Sequence, residues 1–158
     1  MRVIKPPQQI SQGLSCKKVF LAGSIEMGRA RDWQNEITSV IAEEVPKPLQ
    51  IMNPRRDDWD SSWEQSVESP QFYQQVNWEL EALDIADLII MYFDPDTTSP
   101  ITLLELGLHA EHRNLYVCCP TGYYRKGNVD MVCERYDIPH WDNWEDFKID
   151  IVQILRWM

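Results

Sequence analysis

Short apolar runs alternate along the chain with segments in which apolar residues recur every three or four positions. Each apolar run predicts a buried strand, and each periodic segment predicts a helix that packs by one face. The predicted strands are residues 17–23, 49–52, 87–93 and 115–119, with a further edge strand near Ile138. The predicted helices are about residues 29–44, 70–85, 99–112 and 143–157, and a shorter amphipathic stretch covers 129–133.

Strands that alternate with helices predict an α/β fold, because each helix carries the chain back to add the next parallel strand. We expect a single-domain, doubly wound (Rossmann- or flavodoxin-like) parallel sheet with helices on both faces. The chain has 158 residues, 44% of them hydrophobic, which is enough for one sizeable core. Residues 1–16 are expected to be a polar lead-in, and residues 17–158 the domain. Ligands of such sheets bind outside the carboxyl ends of the strands, here Gly23 and residues 53–59, 94–105 and 120–128.

The charge of the chain is strongly negative and argues against a nucleic-acid partner. There are 15 Lys and Arg residues against 25 Asp and Glu residues, a net charge of −10, without a continuous basic stripe. Such a surface repels a phosphate backbone. No run approaches the roughly 18 to 20 apolar residues that a membrane span needs, and the first residues lack the apolar core of a secretory signal. We expect a soluble cytoplasmic protein with no membrane partner.

Neither the cysteines nor the histidines are spaced as metal ligands. The four cysteines include no CxxC pair and no zinc-type spacing, so we expect buried, reduced thiols. His109 and His112 lie three positions apart on one predicted helix without a further ligand, which indicates the helix surface rather than a metal site. We predict no metal and no organic cofactor.

One ionisable residue, Glu105, lies inside the apolar segment Thr102–Leu108 (TLLELGL). A buried carboxylate is costly unless it is paired or takes part in chemistry, so this position is informative. It falls in the second turn after a predicted N-cap at Ser99, where the positive end of the helix dipole favours the anion. An anionic carboxylate suits a nucleophile. The alternative is that Glu105 lies on a narrow solvent-facing stripe of a buried helix.

The turn after the first predicted strand, Gly23–Ala30 (GSIEMGRA), invites comparison with a phosphate-binding P-loop. The match fails because Arg29 and Ala30 stand where that motif needs Lys followed by Ser or Thr. A glycine turn with a hydroxyl and free backbone N–H groups can still hold a sugar or a phosphate; the alternative is a tight connection. Gly107, inside a predicted helix, implies a close approach of its backbone to the sheet or to a substrate.

Three segments together resemble the nucleoside 2-deoxyribosyltransferase family, which includes related deoxynucleotide N-glycosidases. They are Val19–Ile25 (VFLAGSI), Trp78–Leu80 (WEL) leading into Ala86–Ile90 (ADLII), and Leu104–Gly107 (LELG). The resemblance runs from about residue 17 to the tail. It implies an enzyme that exchanges the nucleobase of 2′-deoxynucleosides, with nucleosides and free bases as its partners and without a cofactor.

Within this resemblance, Glu105 matches the family's nucleophile, which attacks the anomeric carbon and holds the sugar as a covalent glycosyl-enzyme. Glu79 matches an acidic residue that contacts the base and handles its proton, although many members have Asp there. The alternative for Glu79 is a solvated helix face. A non-catalytic nucleoside or nucleotide sensor is the second function class, since the fold alone does not determine function.

A nucleotide hydrolase is the competing enzymatic hypothesis. Ser99 matches a position where transferases carry Asp toward the sugar and where related N-glycosidases carry Ser toward a 5′-phosphate. With Gly23, Ser24 and Ile25 it makes a predicted substrate-binding set, which also fits a (deoxy)nucleoside 5′-monophosphate N-glycosidase. The alternative is that Ser99 only caps the helix.

The resemblance also implies contacts to the base and to a second subunit. Phe72 is placed to stack on the base, although the helical period also places it in the core. Asp57 and Trp59 lie in the loop after the second predicted strand, a usual place for base contacts. Residues 125–129 resemble a tail segment that completes a neighbouring subunit's site, with Asn128 as the contributing residue. We therefore expect a homo-oligomer, a dimer or, by family resemblance, a hexamer.

Overall fold

A computed structural model describes residues 1–11, 16–60 and 62–158 of the chain. Within these ranges, none of the helices is long and apolar enough to cross a membrane. The strands are β1 (Arg2–Ile4), β2 (Lys17–Gly23), β3 (Leu49–Met52), β4 (Leu88–Tyr92), β5 (Leu115–Cys118) and β6 (His140–Trp141). The helices are α1 (Trp33–Glu44), α2 (Pro70–Ile85), α3 (Pro100–His109), α4 (Lys126–Arg135) and α5 (Trp144–Trp157), with a 3₁₀ turn at Glu26–Gly28.

The strands of the described ranges form one parallel sheet in the order β1-β3-β2-β4-β5-β6. After β2 the chain adds β3 on one side and then crosses to add β4 on the other side. β5 then pairs with β4 on that same side, and β6 pairs with β5. This order confirms the predicted doubly wound parallel sheet. It also puts the switch point, where ligands of such sheets usually bind, at the carboxyl ends of β2 and β4.

Two apolar layers cover the sheet. On one face α1 and α5 pack against Val19 and Leu21 of β2, and on the other face α2, α3 and α4 pack against Phe20 and Ala22. Successive residues of β2 therefore point to opposite faces, as the two-residue period of a strand requires. All of β4 is buried, as expected for a central strand that is covered on both sides. α2 and α3 thus share one face, and each contacts β2.

The sequence pattern does not predict β1, which falls inside the expected lead-in. β1 pairs with β3 at the edge of the sheet, and Ile4 is its one buried residue. Ile10 also joins the core, and the Trp78 indole N–H of α2 donates to the Gln8 carbonyl at 2.8 Å. A three-residue strand with one buried side chain is too short to give a recognisable period. Residues 12–15 of the lead-in lie outside the described ranges.

The buried face of α2 differs from the predicted one. The helical period predicts a core stripe of Phe72, Val76, Leu80 and Leu83. Leu80 is instead 41% exposed, and the Trp78 indole packs near Phe20 with ring centroids 6.4 Å apart. Burying an indole removes more apolar surface from water than burying a leucine, so Trp78 decides which face turns inward. The buried residues of α2 are Gln75, Trp78, Ala82 and Leu83.

Gly23, at the end of β2, is required by its conformation and by its contacts. Its φ of +141° is rarely adopted by residues with a side chain, and a Cβ would lie 2.4 Å from the Tyr92 carbonyl oxygen. β2 therefore ends in direct contact with the end of β4. The expectation for Gly107 is wrong, because this residue is exposed and a Cβ there would meet nothing within 4 Å. Its neighbour Leu106 packs into the core instead.

A pair of alanine substitutions tests this difference. We expect Gly23→Ala to destabilise the fold by roughly 3 kcal/mol or more, because both the backbone strain and the clash must be relieved. Gly107→Ala should instead stabilise the protein by up to about 1 kcal/mol, since alanine is the better helix former. Urea denaturation followed by far-UV circular dichroism measures both effects. Equal free energies of unfolding for the two variants would contradict the contact described for Gly23.

Candidate active site

Glu79 and Glu105 lie on two helices that cover the same face of the sheet, and their carboxyl groups are close enough for the charge of Glu79 to act on Glu105. Glu79 lies in α2 and Glu105 in α3, and both helices contact β2. Glu105 is only 8% exposed and shares the buried side of α3 with Thr102, Leu106 and His109. The alternative of a solvent-facing stripe is therefore wrong for Glu105. Its carboxyl group is held in the protein interior.

The surroundings of Glu105 favour its protonated form. Burial, and then the negative charge of Glu79, raise the pKa of Glu105 from 4.5 to about 8. Within the described ranges, the Glu105 carboxyl group receives no hydrogen bond that would offset this. The position of Glu105 near the start of α3 predicts an anionic group, but burial and the charge of Glu79 outweigh the helix dipole and raise its pKa.

Glu79 is half-buried and hydrogen-bonded to a neighbouring side chain. Burial raises its pKa to about 7, against the opposing effect of the Gln75 amide, which donates to Glu79 Oε1 at 2.8 Å. The reading of Glu79 as a solvated helix face is therefore wrong. With both pKa values raised toward neutrality, one carboxyl group can act as an acid while the other acts as a base or nucleophile.

Gln75 ties this pair to the loop that follows β3. Its Nε2 also donates to the Pro54 carbonyl at 3.0 Å, and the residue is only 5% exposed. Its Oε1 is buried and has no partner in the described part of the protein. Gln75 was not identified as a site residue from the sequence. Its one signal is the spacing of four residues before Glu79, which puts both side chains on one side of α2.

Three buried hydroxyl groups lie at the carboxyl ends of β2 and β4. Ser24 Oγ is 2.5 Å from Ser99 Oγ, and Thr97 Oγ1 is 3.0 Å from Ser24 Oγ and 2.7 Å from Ser99 Oγ. The backbone N–H of Asp94 also donates to Ser24 Oγ at 2.8 Å. This cluster, called here the hydroxyl triad (Ser24, Thr97 and Ser99), joins the loop after β2 to the loop before α3. Thr97 and Asp94 were not identified from the sequence.

Ser99 does not cap α3 with its side chain, contrary to the predicted N-cap. The helix does begin at Pro100, but Ser99 has a left-handed backbone (φ 43°, ψ 54°) and its side chain makes no capping hydrogen bond. Its hydroxyl belongs to the hydroxyl triad instead. The left-handed conformation is unusual for a residue with a side chain and is held here by the contacts of the triad.

The predicted binding residues Ile25, Trp59 and Asp57 have different surroundings. Ile25 is half-buried and directly precedes the 3₁₀ turn. Trp59 is half-buried, packs edge-on against Trp63 (5.2 Å between ring centroids), and has a buried indole N–H without a partner in the described ranges. Asp57 has a side chain that is 81% exposed and forms an ion pair with Lys5 at 2.6 Å. The unpaired indole N–H of Trp59 is a hydrogen-bond donor in the loop after β3, the loop whose Pro54 carbonyl accepts from Gln75.

Phe72 and Asn128 lie at helix starts. Phe72 is half-buried in the first turn of α2, so it lies partly outside the core. Asn128 is exposed in the first turn of α4, and within the described ranges its side chain makes no hydrogen bond. The structure does not bring Asn128 into contact with the hydroxyl triad of the same chain.

His109 is buried, so the helix-surface reading is wrong for this residue. It is 4% exposed, and its Nδ1 lies 3.0 Å from Nδ1 of His112. Burial, and then the nearby His112, lower the pKa of His109. In the described ranges the pair is not joined by a third His, Cys, Asp or Glu in a metal-binding arrangement. The two imidazoles therefore form a hydrogen-bonded pair at the end of α3.

A separate groove of about 520 Å³ lies beside β6 and α5. It is lined by Trp141, Ile154 and Trp157 among others. α5 covers the face of the sheet opposite to α3, so this groove is remote from Glu105. The buried carboxylates, rather than the groove, carry the groups that can break bonds.

Comparisons with known proteins confirm the resemblance noted from the sequence. A family model described as "nucleoside 2-deoxyribosyltransferase like" matches residues 16–123, a range that includes both carboxylates. Among solved structures, a conserved protein from Enterococcus faecalis V583 aligns with a TM-score of 0.63 over 90% of this chain and 99% of that chain, at 10% identity. At that identity the likeness shows the fold alone. No curated protein matches the chain significantly.

The raised pKa of Glu105 predicts how its replacement changes stability with pH. A carboxyl group that keeps its proton to about pH 8 when folded, but loses it near pH 4.5 when unfolded, makes the fold less stable as the pH rises between these values. Glu105→Gln removes this loss. We expect its gain in Tm to be small near about pH 4 and to reach several degrees near about pH 8.

Glu43→Gln is the matched control, because Glu43 is exposed on α1. Differential scanning fluorimetry across this pH range compares the two variants with the wild type. A Tm difference between Glu105→Gln and the wild type that stays constant with pH would contradict the burial of this carboxyl group.

Proposed function

The chain belongs to the nucleoside 2-deoxyribosyltransferase-like family, and we propose that it exchanges the nucleobase of 2′-deoxynucleosides through a glycosyl-enzyme formed on Glu105. The observation that supports this most directly is the buried carboxyl group of Glu105 beside Glu79. Two carboxyl groups with separate roles are what glycosidic chemistry with retention requires.

The form of the pair that reacts is the one with Glu105 ionised and the shared proton on Glu79. In the first step a Glu105 carboxylate oxygen attacks the anomeric carbon C1′. A C–O bond forms while the C–N bond to the base breaks, and Glu79 gives its proton to the departing base nitrogen. The transition state resembles an oxocarbenium ion, so the anionic oxygen of Glu105 stabilises the positive charge on the sugar. The sugar then remains on Glu105 as an ester.

In the second step a new base attacks C1′ from the side that the first base left. Glu79 accepts the proton from the attacking nitrogen, the new C–N bond forms, and the ester C–O bond breaks to return the Glu105 carboxylate. Atoms and charges balance over the cycle without a metal or an organic cofactor. In the hydrolytic alternative, water takes the place of the second base and Glu79 takes its proton.

Two unpaired polar atoms, one on α2 and one on the loop after β3, suit recognition of a nucleobase. Gln75 Oε1 is a buried acceptor without a partner, and Trp59 Nε1 is a buried donor without a partner, both within the described ranges. A base carries donors and acceptors on its edge that can satisfy such groups. Gln75 also donates a hydrogen bond to the Glu79 carboxyl group. The side chain proposed to contact the base therefore also positions the carboxyl group that transfers the proton.

We also propose that the enzyme is a homo-oligomer, in which α3 contributes to the interface. Ile101, Leu104 and Leu108 are 59%, 57% and 55% exposed and form one row on the outer side of this helix. An exposed apolar row on a helix that carries a buried catalytic group is typical of a surface that another protein covers. Asn128 is then the residue that reaches a neighbour's site.

We place the enzyme in the cytoplasm. All four cysteines are free thiols, and Cys118, Cys119 and Cys133 are buried in the core. Burial, before other effects, raises the pKa of each of these three thiols to about 12, so they stay protonated and unreactive at neutral pH. Reduced thiols fit a reducing compartment.

The nucleophile assignment predicts the effect of removing one negative charge. Glu105→Gln should lower base exchange at least about a thousandfold, because the amide cannot form the ester. The assay mixes a 2′-deoxynucleoside with a second free base and follows the new nucleoside by chromatography. Glu43→Gln, with the same loss of charge at an exposed position on α1, should keep wild-type turnover.

A 2′-fluoro nucleoside should slow both steps by destabilising the oxocarbenium-like transition states, and a glycosyl-enzyme accumulates if its formation remains faster than its breakdown. Peptide mass spectrometry should then find the sugar on the peptide that contains Glu105. A sugar on Glu79, or near wild-type turnover in Glu105→Gln, would overturn this mechanism. Binding of a nucleoside without either exchange or hydrolysis would favour the sensor hypothesis.

The interface proposal is tested at Leu104. Leu104→Asp adds a charge to the apolar row of α3, and we expect it to shift an oligomeric wild type toward the monomer and to lower activity, because each site loses the neighbouring Asn128. Ile149→Asp makes the same change on α5, where Ile149 is 57% exposed on the opposite face of the sheet. Light scattering measures the masses. A wild type that is monomeric and fully active would contradict the proposal.

A further inference from the structure

The Glu26 carboxylate reaches from the 3₁₀ turn after β2 to the loop that precedes α3. Its Oε1 accepts hydrogen bonds from Thr98 Oγ1 at 2.6 Å and from the Ser99 backbone N–H at 2.7 Å. It accepts a third from the Thr98 backbone N–H. Glu26 and Ser99 both have left-handed backbones, with φ of 40° and 43°. Such conformations persist only where contacts enforce them, so this contact is a defined link across the switch point.

Glu26 occupies a position where a ligand anion would otherwise be favoured. Backbone N–H groups at the start of a helix attract anions, and ligands of doubly wound sheets bind beside such ends. The last two amides before Pro100, which has no N–H of its own, both donate to Glu26. A carboxylate of the protein therefore fills this anion position.

The charge on Glu26 persists at neutral pH. Burial by itself raises its pKa, but the hydrogen bonds from Thr98 and Ser99 and the charge of Arg29 outweigh burial and lower the pKa below its ordinary value. A second anion brought to the same loop would meet the negative charge of Glu26. Like charges placed side by side disfavour binding.

The hydroxyl groups of the same region are also engaged within the protein. Ser24, Thr97 and Ser99 are at most 5% exposed and are hydrogen-bonded to one another in the hydroxyl triad. A phosphate would have to break these bonds to be held by Ser99. Neither the amides before α3 nor the triad is therefore free for a phosphate group.

This region lies within reach of the proposed nucleophile. Glu105 follows Ser99 by six residues, a rise of about 9 Å along α3. Helical side chains lean toward the start of their helix, so the Glu105 carboxyl group lies closer to Ser99 than its Cα does. Gln75 and Trp59, which suit the base, belong to α2 and the loop after β3. A sugar on Glu105 with its base toward α2 then has its 5′ end toward Glu26.

We propose that Glu26 determines specificity, selecting nucleosides with a free 5′-hydroxyl and excluding their 5′-monophosphates. This inference rests on the proposed function of Glu105. The 5′-hydroxyl donates a hydrogen bond to Glu26 Oε2, which accepts none from the described residues. The competing activity on nucleoside 5′-monophosphates is thereby excluded by charge rather than by size.

The test compares a 2′-deoxynucleoside with its 5′-monophosphate as substrates of the wild type, of Glu26→Gln and of Glu43→Gln. A second free base is present as the acceptor of the sugar, and release of the first base is followed by chromatography. We expect the wild type to prefer the nucleoside by at least about 100-fold in kcat/KM, and Glu26→Gln to reduce this preference at least about tenfold, chiefly by lowering KM for the monophosphate. The amide of Glu26→Gln keeps the Oε1 acceptor for Thr98 and Ser99, so the loop should stay folded. Glu43→Gln, exposed on α1, should leave the preference unchanged.

Two results would overturn the role of Glu26 while leaving Glu105 as the nucleophile. One is a wild type that uses the monophosphate as well as the nucleoside, and the other is an unchanged preference in Glu26→Gln. If the wild type turns over neither substrate, the proposed function fails. Calorimetry then measures the binding of both compounds to the wild type and to Glu26→Gln, and so tests the role of Glu26 separately. A preference of the wild type for the nucleoside that is smaller in Glu26→Gln supports this role. Any other pattern overturns it.

Discussion

The site depends on two carboxyl groups that share an interior from which most water is excluded. Burial raises the pKa of both carboxyl groups, and the charge of Glu79 adds to the effect at Glu105, so both groups hold their protons to a higher pH than exposed carboxyl groups do. Burying these carboxyl groups lowers the stability of the folded protein, so other contacts have to hold α2 and α3 in place. The buried contacts of Trp78 and Leu106 in the core beneath these helices supply that support.

The sheet makes this arrangement possible by bringing two loops together at its centre. Gly23 lets β2 end in contact with Tyr92 at the end of β4, so the next residues of the two strands meet. Ser24 then accepts from the Asp94 backbone N–H, and α3 starts only a few residues later. The position of Glu105 is therefore fixed by a short chain of buried contacts rather than by a flexible loop, which is what a nucleophile needs.

Local patterns predicted much of the fold, and contacts between distant residues account for the rest. The strand at Lys17–Gly23 and the helix at Pro70–Ile85 match the structure residue for residue, since each has a clear period and a clear end. The burial of Glu105 also followed from its apolar neighbours. Glu26 gave no such signal, because its partners Thr98 and Ser99 lie more than seventy residues away. The buried face of α2 was predicted wrongly, because the spacing of its apolar residues takes no account of the larger apolar surface of Trp78.

The two raised pKa values suit the proposed base exchange, which must run equally well in both directions. In that reaction the group that leaves and the group that arrives are both nucleobases, so the residue that protonates the first must deprotonate the second. Proton transfer is most efficient when the carrier titrates near the working pH, and burial raises the pKa of Glu79 to about 7. In the proposed first step Glu79 gives its proton to the leaving base, and Glu105, once esterified, carries no charge. Glu79 is then left as the carboxylate that accepts the proton of the incoming base, so forming the intermediate would also prepare the base catalyst for the second step.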